Sequence, residues 1–454
     1  MAPEVERITR PPGARGRMVD GSRAPSRIGH QMTVEPSWER DPTPLIARAK
    51  GCYFWDTQDR KVFDGNSGLQ NVHIGHGHPE MSATAARQIE ELDFFPLYSG
   101  SHVVAEELGE RLHDLLPHLD RFYLLNSGSE AIEAGIKLLA EYWSLRGQAH
   151  RNLLIARSGS YHGSTIGALS ATGLTTLRDP FSSLLIESAF ISDPEREEGE
   201  SEEQAAARLA AELRDTIGSV GHDRILAILA EPVQLWGARV PPAGYWDALR
   251  AICDEFGLPL LVDEVITGFG RTGEWFGMDH WGVQGDVVAL GKGIASGYAP
   301  ISAVGIGEEI ASVFDAEGAI FHHISTTSGH PVSAALALKN IELIERDDLV
   351  RSSAEGGEVA RTLLRDAFGS LPFVTDVRGI GLLNSVLFDL DLVPSGFEAS
   401  ARLRRVCFEE GAYLRADGQL WLIPPLVTTE RQLEDVVGMA LRAVERWISE
   451  GRGT

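Results

Sequence analysis

Short apolar runs alternate with amphipathic stretches from about residue 80 onward. Apolar residues recur at helical spacing over 130–145 and 244–256, which predicts helices. Strands that alternate with such helices predict an α/β fold with a mainly parallel sheet covered by helices. The predicted strands are "RFYLL" (121–125), "NLLIA" (152–156), "ILAILAEP" (225–232), "LPLLVDEV" (258–265) and "DVVALG" (286–291).

The two ends of the chain follow other patterns. Residues 51–68, "GCYFWDTQDRKVFDGNSG", predict two short strands joined at a turn over Thr57–Asp59. After a long helical stretch near residue 340, strand-like runs mix with a helix around 398–410, which predicts a smaller α+β domain. The expected organisation is a variable N-terminal arm (1–40), a small α+β domain (41–79 and 341–454) and a large α/β domain (80–340).

Composition narrows the function classes. The 454-residue chain has a formal charge of −24 and a pI near 5.0, which argues against nucleic acid because a phosphate backbone attracts a basic surface. No apolar run approaches the roughly 18 residues that span a bilayer, so no membrane partner is expected. Three widely spaced cysteines predict buried free thiols in a cytoplasmic protein, with no metal site. The acidic run "DPEREEGESEEQ" (193–204) predicts a solvated loop entering a helix.

Candidate chemistry falls at the carboxyl ends of the predicted strands, where parallel sheets bind ligands. "NSGSEA" (126–131) follows the first strand and opens a helix. Ser127 and Glu130 are spaced to cap that helix as a capping box. Gly128 and Ser129 are equally suited to hold a phosphate at the helix start. Both interpretations stay open from these residues alone.

Other strand ends offer an acid or an aromatic side chain. Asp263 either caps a turn or pairs with Arg271, or it holds a protonated ring nitrogen of a cofactor. Val265, two residues on, would point to the same side of the strand and pack on that ring. Tyr161, in "GSYHG" (159–163), is either a core residue or stacks on a planar ligand. Glu231 is either a surface acid that ends a strand or part of the same site.

Lysine is scarce in this chain, which has 41 Lys plus Arg but only five lysines. One of them, Lys292, lies between two glycines in "ALGKGIASGYAP" (289–300). A lysine at a strand end is usually a solvated loop residue. Its amine, however, can lose a proton and form a covalent bond, which arginine cannot do, and the glycines leave room for a bulky group. Because five strand ends each offer one part of a site, we expect Lys292 to be a nucleophile.

Six motifs in a fixed order resemble those of the class III aminotransferases, which are pyridoxal 5′-phosphate (PLP) enzymes of fold type I. They are "NSGSEA", "YHG", "AEPVQ", "DEVITGFGRTG", "GKGI…GY" and "TTSGHP" (326–331). The resemblance runs from about residue 50 to the C-terminus and is greatest to the ω-amino-acid and amine:pyruvate transaminases. It implies transamination between an amine or amino-acid donor and a ketone or aldehyde acceptor, by a homodimer or a dimer of dimers with shared active sites.

The resemblance also implies a role for each matching residue. Lys292 would form the internal aldimine, a Schiff base with PLP, and Asp263 would keep the pyridine nitrogen protonated. Tyr161 and Val265 would enclose the ring, and Arg415 would be a mobile arginine that binds a substrate carboxylate. The remaining matches are at the phosphate (Ser127, Gly128, Ser129, and Thr326 and Thr327 from the other subunit), beside the ring (His162, Glu231) and on the substrate side (Gln70, Trp236).

Three departures from the family pattern fall on the substrate side. Gln70 stands where the family usually has tryptophan, the "LWGAR" stretch around Trp236 is one residue short, and Thr327 stands where tyrosine is common. With the acidic balance, Gln70 raises the alternative of an oxidised amino sugar as acceptor, as in aminoglycoside biosynthesis. A mutase, lyase or decarboxylase on the same scaffold is a second alternative, and a cofactor-binding scaffold without turnover is a third.

Overall fold

The computed structural model describes residues 44–451 and the two-residue strands β1 (Met18–Val19) and β2 (Ser22–Arg23), which pair antiparallel. The rest of the predicted N-terminal arm lies outside the described residues. The chain divides into two compact units, one of Met1–Arg48 with Trp55–Arg60 and one of Ala49–Phe54 with Lys61–Thr454.

The smaller unit contains the predicted turn over Thr57–Asp59. The Asp59 amide donates to the Asp56 carbonyl at 3.1 Å, which closes the turn. Arg48 binds across it, since its guanidinium is 2.5 Å from the Asp59 carboxylate and lies 4.1 Å over the Trp55 ring.

The secondary structure alternates strands and helices over most of the described chain. The remaining strands are β3 (Ile46–Lys50), β4 (Tyr53–Asp56), β5 (Lys61–Asp64), β6 (Leu119–Leu125), β7 (Leu153–Arg157), β8 (Ser188–Ile191), β9 (Ile225–Ala230), β10 (Leu260–Asp263), β11 (Val287–Leu290), β12 (Ser302–Gly307), β13 (Val374–Ile380), β14 (Leu383–Phe388), β15 (Ala412–Tyr413), β16 (Arg415–Ala416) and β17 (Gln419–Leu422). The helices are α1 (Ser67–Gln70), α2 (Pro79–Glu91), α3 (Val103–Leu115), α4 (Gly128–Leu145), α5 (Ile166–Ser170), α6 (Thr175–Arg178), α7 (Glu202–Val220), α8 (Tyr245–Phe256), α9 (Glu308–Glu317), α10 (Pro331–Arg346), α11 (Leu349–Phe368), α12 (Phe397–Glu409) and α13 (Glu430–Gly451).

The larger unit is built on a seven-stranded sheet in the order β6-β12-β11-β10-β9-β7-β8. β12 runs antiparallel to both of its neighbours, and the other six strands share one direction. This mixed, mainly parallel sheet confirms the predicted α/β fold. Because six strands point the same way, their carboxyl ends meet along one edge of the sheet, where the candidate residues were expected.

Alternate residues of the sheet enter two hydrophobic cores, one on each face. Leu260 and Val262 of β10 pack into the larger core, while Leu261 between them packs into the smaller one. Helices α3, α7 and α8 contribute to the larger core, and α4 and α9 to the smaller. Burial on both faces explains why the sequence shows continuous apolar runs instead of alternation.

Strand β10 ends at Asp263, two residues earlier than predicted, because the chain turns to bury the next carboxylate. Glu264 is 1% exposed and accepts hydrogen bonds from the amides of Gly277 and Met278, each at 2.9 Å. The Thr267 hydroxyl donates to the same carboxylate. Val265 therefore lies in a turn, so the alternation of side chains along a strand does not determine the direction in which it points.

The C-terminal part of the chain mixes strands and helices, as its sequence predicts. β13, β14, β17 and β16 form an antiparallel sheet on which α11 packs, and β15 pairs in parallel with β5. The boundaries of the predicted large (80–340) and small (41–79 and 341–454) domains stay a prediction.

The acidic run 193–204 is only partly the solvated loop that its charge predicts. Ser201 and Gln204 form a full capping box at the start of α7, as expected of a loop that enters a helix. Glu195, however, is half-buried and lies 2.5 Å from the guanidinium groups of both Arg239 and Arg378. Two arginines neutralise this acid, so its burial is tolerated.

Three further properties bear on the expectations from composition. Cys52, Cys253 and Cys407 are buried and unbridged, as predicted. Among the described residues, no helix combines the length and the apolar character needed to cross a bilayer. Over the same residues, no three His, Cys, Asp or Glu side chains are grouped to hold a metal ion.

Candidate active site

A cavity of about 140 Å³ lies at the carboxyl edge of the sheet and draws residues from five strand ends. Nine of its twelve lining residues are among those singled out from the sequence, although their roles stay predictions. The nine are Ser127, Gly128, Ser129, Tyr161, His162, Glu231, Asp263, Val265 and Lys292, and the other three are Gly163, Ile266 and Thr267.

The carboxylate of Asp263 is held by two neighbours. Its Oδ2 lies 2.8 Å from Nδ1 of the buried His162, and its Oδ1 accepts from the Val265 amide at 3.1 Å. The alternative pairing with Arg271 is wrong, because that guanidinium donates to the carbonyls of Leu382 and Pro424. These bonds fix the orientation of Asp263 within the cavity.

Lys292 begins a short 3-10 turn directly after β11, with φ at 37°. Across residues 44–451 its amine makes no hydrogen bond or ion pair. Burial lowers the pKa of Lys292, the nearby carboxylates of Asp263 and Glu231 oppose this shift, and the charge of Arg415 adds to it. A lowered pKa increases the share of neutral amine, which is the nucleophilic form.

Glu231 lines the cavity and is only 3% exposed, which excludes the interpretation as a surface acid. Its carboxylate accepts from the Tyr161 amide at 3.2 Å and from the Leu235 amide at 2.9 Å. Burial raises its pKa. Because it binds the loops after β7 and β9 together, Glu231 positions the backbone that carries Tyr161.

Helix α4 begins at the cavity wall, one residue after Ser127. The Ser127 hydroxyl accepts from the Glu130 amide at 3.2 Å, so it caps the helix as predicted. The Glu130 carboxylate does not return to Ser127 but accepts from the Asn126 amide at 2.8 Å. The predicted capping box is therefore half formed. Gly128 and Ser129 of the first turn of α4 line the cavity, and the unpaired amides of a helix start suit an anion.

Two glycines at this end of the cavity lie where the neighbouring side chains leave no room for a Cβ atom. A Cβ on Gly128 would lie 2.7 Å from Cγ1 of Val265, and one on Gly163 would lie 2.5 Å from Oγ of Ser129. Gly163 also has φ at 139°, which other residues rarely adopt. The Ser129 hydroxyl accepts from the Ser164 amide at 3.1 Å, which joins the start of α4 to the loop after β7.

The structure does not bring five of the predicted residues to the cavity lining. Thr326 and Thr327 are exposed, and the Thr327 hydroxyl donates to the Asn126 side chain at 2.8 Å. Arg415 and Trp236 lie together in a separate cluster, with the guanidinium 5.7 Å from the ring.

Gln70, the fifth of these residues, is turned away from solvent. It is 1% exposed and donates to the Asn66 side chain at 2.9 Å. The distorted turn α1 causes this, since Gly68 and Gln70 both have positive φ, and the neighbouring Leu69 is 59% exposed instead. The expectation that Gln70 makes the pocket polar stays a prediction.

Three lining residues were missed from the sequence. Gly163 closes the "YHG" motif, and its glycine could have signalled a close backbone approach. Ile266 and Thr267 lie in the turn after Asp263, and no local signal distinguishes them, because the strand was expected to continue.

Comparison with known proteins decides the family. The model of the aminotransferase class-III family matches residues 35–444. The chain belongs to the class-III aminotransferases. Among its relatives, this aminotransferase is 32% identical over 418 residues to putrescine–pyruvate aminotransferase of Pseudomonas aeruginosa. The match covers 88% of this chain and 90% of that one.

Solved structures agree with this family and with the fold. This class-III aminotransferase resembles an (S)-enantioselective omega-transaminase from Thermomicrobium roseum with a TM-score of 0.88 and 34% identity, over 92% of this chain and 96% of that chain. It resembles the omega transaminase from Pseudomonas jessenii in complex with PMP with a TM-score of 0.87 and 31% identity, over 94% and 97%. The predicted fold type I architecture and transaminase activity between an amine and a keto acceptor are confirmed.

Proposed function

We propose that this aminotransferase binds PLP in the cavity around Lys292. The observation that carries the proposal is the convergence of three features on one cavity: the lysine, the oriented carboxylate of Asp263 and the start of α4. These features fit the three functional ends of PLP, which are an aldehyde, a basic ring nitrogen and a phosphate. His162 supports the fit, because the contact of its Nδ1 with Oδ2 orients the Asp263 carboxylate.

Each of the lining side chains has a separate role in transamination. PLP supplies an electron sink when the α-proton of the substrate is removed. The amine of Lys292 would hold the cofactor and, as the free neutral amine, would move the proton at the substrate carbon. Asp263 stabilises the positive charge on the ring nitrogen, while Tyr161 and Val265 enclose the ring. The amides of Gly128 and Ser129 bind the phosphate.

We propose a small keto acid, such as pyruvate, as the acceptor. Arg415 provides a cation for its carboxylate, and the name of the P. aeruginosa relative includes pyruvate. The amino-sugar alternative rests on Gln70 and on the acidic balance of the chain; Gln70 donates to Asn66 and is not among the residues that line the cavity, which favours the keto acid. The donor is an amine or an amino acid.

We also propose a homodimer in the cytoplasm. Four side chains on two segments are apolar and largely exposed: Tyr98 (80%), Val103 (71%), Ile320 (70%) and Ile324 (61%). Nε2 of His102 lies 2.8 Å from the Gly329 carbonyl, which joins the first segment to the chain a few residues after the second. Exposed apolar surface of this kind marks protein interfaces, and Thr326 lies beside it. The cytoplasmic location is supported by the three unbridged cysteines.

Absorbance spectroscopy with peptide mapping tests the cofactor proposal. Addition of an amine donor alone is expected to convert the absorbance of the bound cofactor, and a keto acid is expected to restore it. Borohydride reduction should then place the cofactor on the Lys292 peptide. The other four lysines are internal controls, and labelling of any of them instead would contradict the proposal. Net product without a keto acid would favour the mutase, lyase or decarboxylase alternative.

A further inference from the structure

The backbone turn that carries Lys292 has an unusual conformation. Lys292 has φ at 37°, in the left-handed region that residues other than glycine rarely adopt. Within the turn, the Ile294 amide donates to the Gly291 carbonyl at 3.0 Å. The Ala295 amide donates to the Lys292 carbonyl at 3.3 Å. The Lys292 amine bonds to no residue that the structure describes, so the position of this side chain depends on the turn.

A buried side chain from a distant helix binds the same turn. Asn340 lies on α10 and is 0% exposed. Its Nδ2 donates to the Gly293 carbonyl at 2.7 Å and to the Ile294 carbonyl at 3.0 Å. Both carbonyls belong to buried residues, where water does not readily replace a lost donor. Asn340 therefore holds the two peptide groups that follow Lys292.

Asn340 binds the turn with its donor group alone. Its Oδ1 is buried and has no hydrogen-bond partner within the described chain. A buried acceptor without a partner lowers stability. The neighbouring side chains on α10 that face the core are apolar, since Ala337, Ile341 and Ile344 are each 0% exposed. An apolar residue would suit this packing better, so the hydrogen bonds to the turn are the physical reason for an asparagine here.

Close packing also limits the movement of the turn. A Cβ on Gly291 would lie 3.1 Å from Cγ1 of Val265, and one on Gly293 would lie 2.7 Å from Nε2 of His73. Burial lowers the pKa of His73 well below its usual range, so this neighbour is neutral and adds no charge. These contacts restrict the turn on the sides of its two glycines, whereas Asn340 holds it by directional hydrogen bonds.

We propose that Asn340 is a positioning residue that holds the turn in the conformation from which the Lys292 amine reaches PLP. The proposal rests on the proposed binding of PLP at Lys292. Asn340 does not line the cavity, so it acts through the turn and not by contact with cofactor or substrate. Without its two hydrogen bonds, the turn relaxes toward a negative φ, and the amine leaves the place from which it holds the cofactor.

The test measures the effect of Asn340→Leu on PLP affinity in two backgrounds, the wild type and Lys292→Ala. Leucine keeps the approximate size of the side chain and removes the donor. Equilibrium dialysis of the holoenzyme against PLP is expected to give an apparent Kd about tenfold higher in the wild-type background. In Lys292→Ala, which has no amine to position, the change is expected to be less than about twofold. A similar rise in both backgrounds would show a general defect of the cavity and overturn the proposal.

Asn384→Leu is the matched control. Asn384 is also 0% exposed, and its Nδ2 donates to the Gly381 carbonyl at 3.1 Å, but it lies outside the cavity lining. This variant should lower the midpoint of thermal unfolding and change the Kd for PLP less than about twofold. A rise as large as that in Asn340→Leu would show that the effect is not specific to the Lys292 turn, which contradicts the positioning role.

The single variants separate this inference from the proposed function. If Lys292→Ala leaves the Kd for PLP unchanged and borohydride labels another lysine, the proposed function fails, and the positioning role fails with it. If Lys292→Ala raises this Kd but Asn340→Leu does not, only the positioning role fails. Asn340→Ala removes the donor without adding apolar bulk, and it replaces Asn340→Leu in the same comparison if the leucine variant does not fold.

Discussion

Asp263 and Glu264 are adjacent in the chain, but their side chains have different surroundings at the edge of the sheet. Asp263 lines the cavity with Lys292, whereas Glu264 turns away and binds backbone amides of the segment that begins at Gly277. The first carboxylate faces the proposed cofactor, and the second holds the turn that places Val265 in the cavity wall. The consequences of losing each one therefore differ.

Removal of the Asp263 charge should act on the chemical step. Asp263→Asn keeps the size of the side chain but no longer stabilises a positive ring nitrogen. A loss of about 3–5 kcal/mol in the transition state predicts a fall in kcat/KM of roughly 10²–10⁴-fold. Steady-state kinetics of both half-reactions measure it, with Asp254→Asn on the surface of α8 as the control. A decrease of less than tenfold would contradict the role.

Glu264 should make stability depend on pH. Burial raises its pKa from 4.5 to about 7. The folded chain therefore retains a proton that the unfolded chain loses above pH 4.5, so the stabilisation is complete below pH 4.5 and is lost as pH rises to 7. The expected loss is about 1.4 kcal/mol per pH unit within that window.

Unfolding of Glu264→Gln and the wild type between pH 5 and 8 measures this slope. The variant cannot titrate, so its midpoint is expected to depend less on pH across the window, even though its hydrogen bonds to Gly277 and Thr267 are weakened. Equal slopes for the two proteins would show that Glu264 is not protonated in the folded state.

At the scale of elements, the start of α4 combines a helix cap with a close approach of backbone. Gly128 begins the helix against Val265, with no space for a side chain between them. Ser129 ties this first turn to Ser164. The helix and two loops therefore share one junction, and the cap and phosphate interpretations of "NSGSEA" are compatible, because Ser127 caps while the following amides remain available.

Gly128→Ala should weaken PLP binding while the fold is retained. The added methyl group displaces Val265 or the helix start, and a tenfold or greater increase in the apparent Kd for PLP is expected, on the order of 1.4 kcal/mol. Fluorescence titration of the apoenzyme measures it. The control is Gly109→Ala in α3, where no atom lies within 4 Å of the new Cβ, and alanine should stabilise the helix by about 0.5–1 kcal/mol. Unchanged PLP affinity in Gly128→Ala would exclude the proposed phosphate site.

At the scale of the whole molecule, the apolar side chains exposed on segments 98–103 and 320–324 need a partner. Light scattering with size exclusion is expected to give twice the 49.4 kDa of one chain. Val103→Glu combined with Ile320→Glu should shift the protein toward monomer and lower its affinity for PLP. Leu392→Glu, at an exposed apolar position elsewhere (54%), should not. If the wild-type protein is a monomer, the proposal that two subunits share active sites is contradicted.

Much of the fold and of the cavity could be predicted because the information is local. Each parallel strand is an apolar run, and each run is followed within a few residues by a side chain suited to the chemistry, such as Asp263 or Lys292. The direction of a parallel sheet then brings those ends together without any knowledge of packing. The helices over 128–145 and 245–256 were predictable for the same reason.

Residues whose environment depends on distant partners could not be predicted. Glu195 is half-buried because Arg239 and Arg378 neutralise it, and Arg415 pairs with Asp417, which Arg404 of another element also binds.

The sequence by itself therefore determined five of the seven strands of the main sheet, the order of the chemical groups at their ends and the class of reaction. Only the tertiary structure decided which side chains face the substrate and how firmly they are held. The physical reason is that backbone pattern is set by neighbours in the chain, whereas burial, ion pairing and stacking are set by residues up to hundreds of positions away.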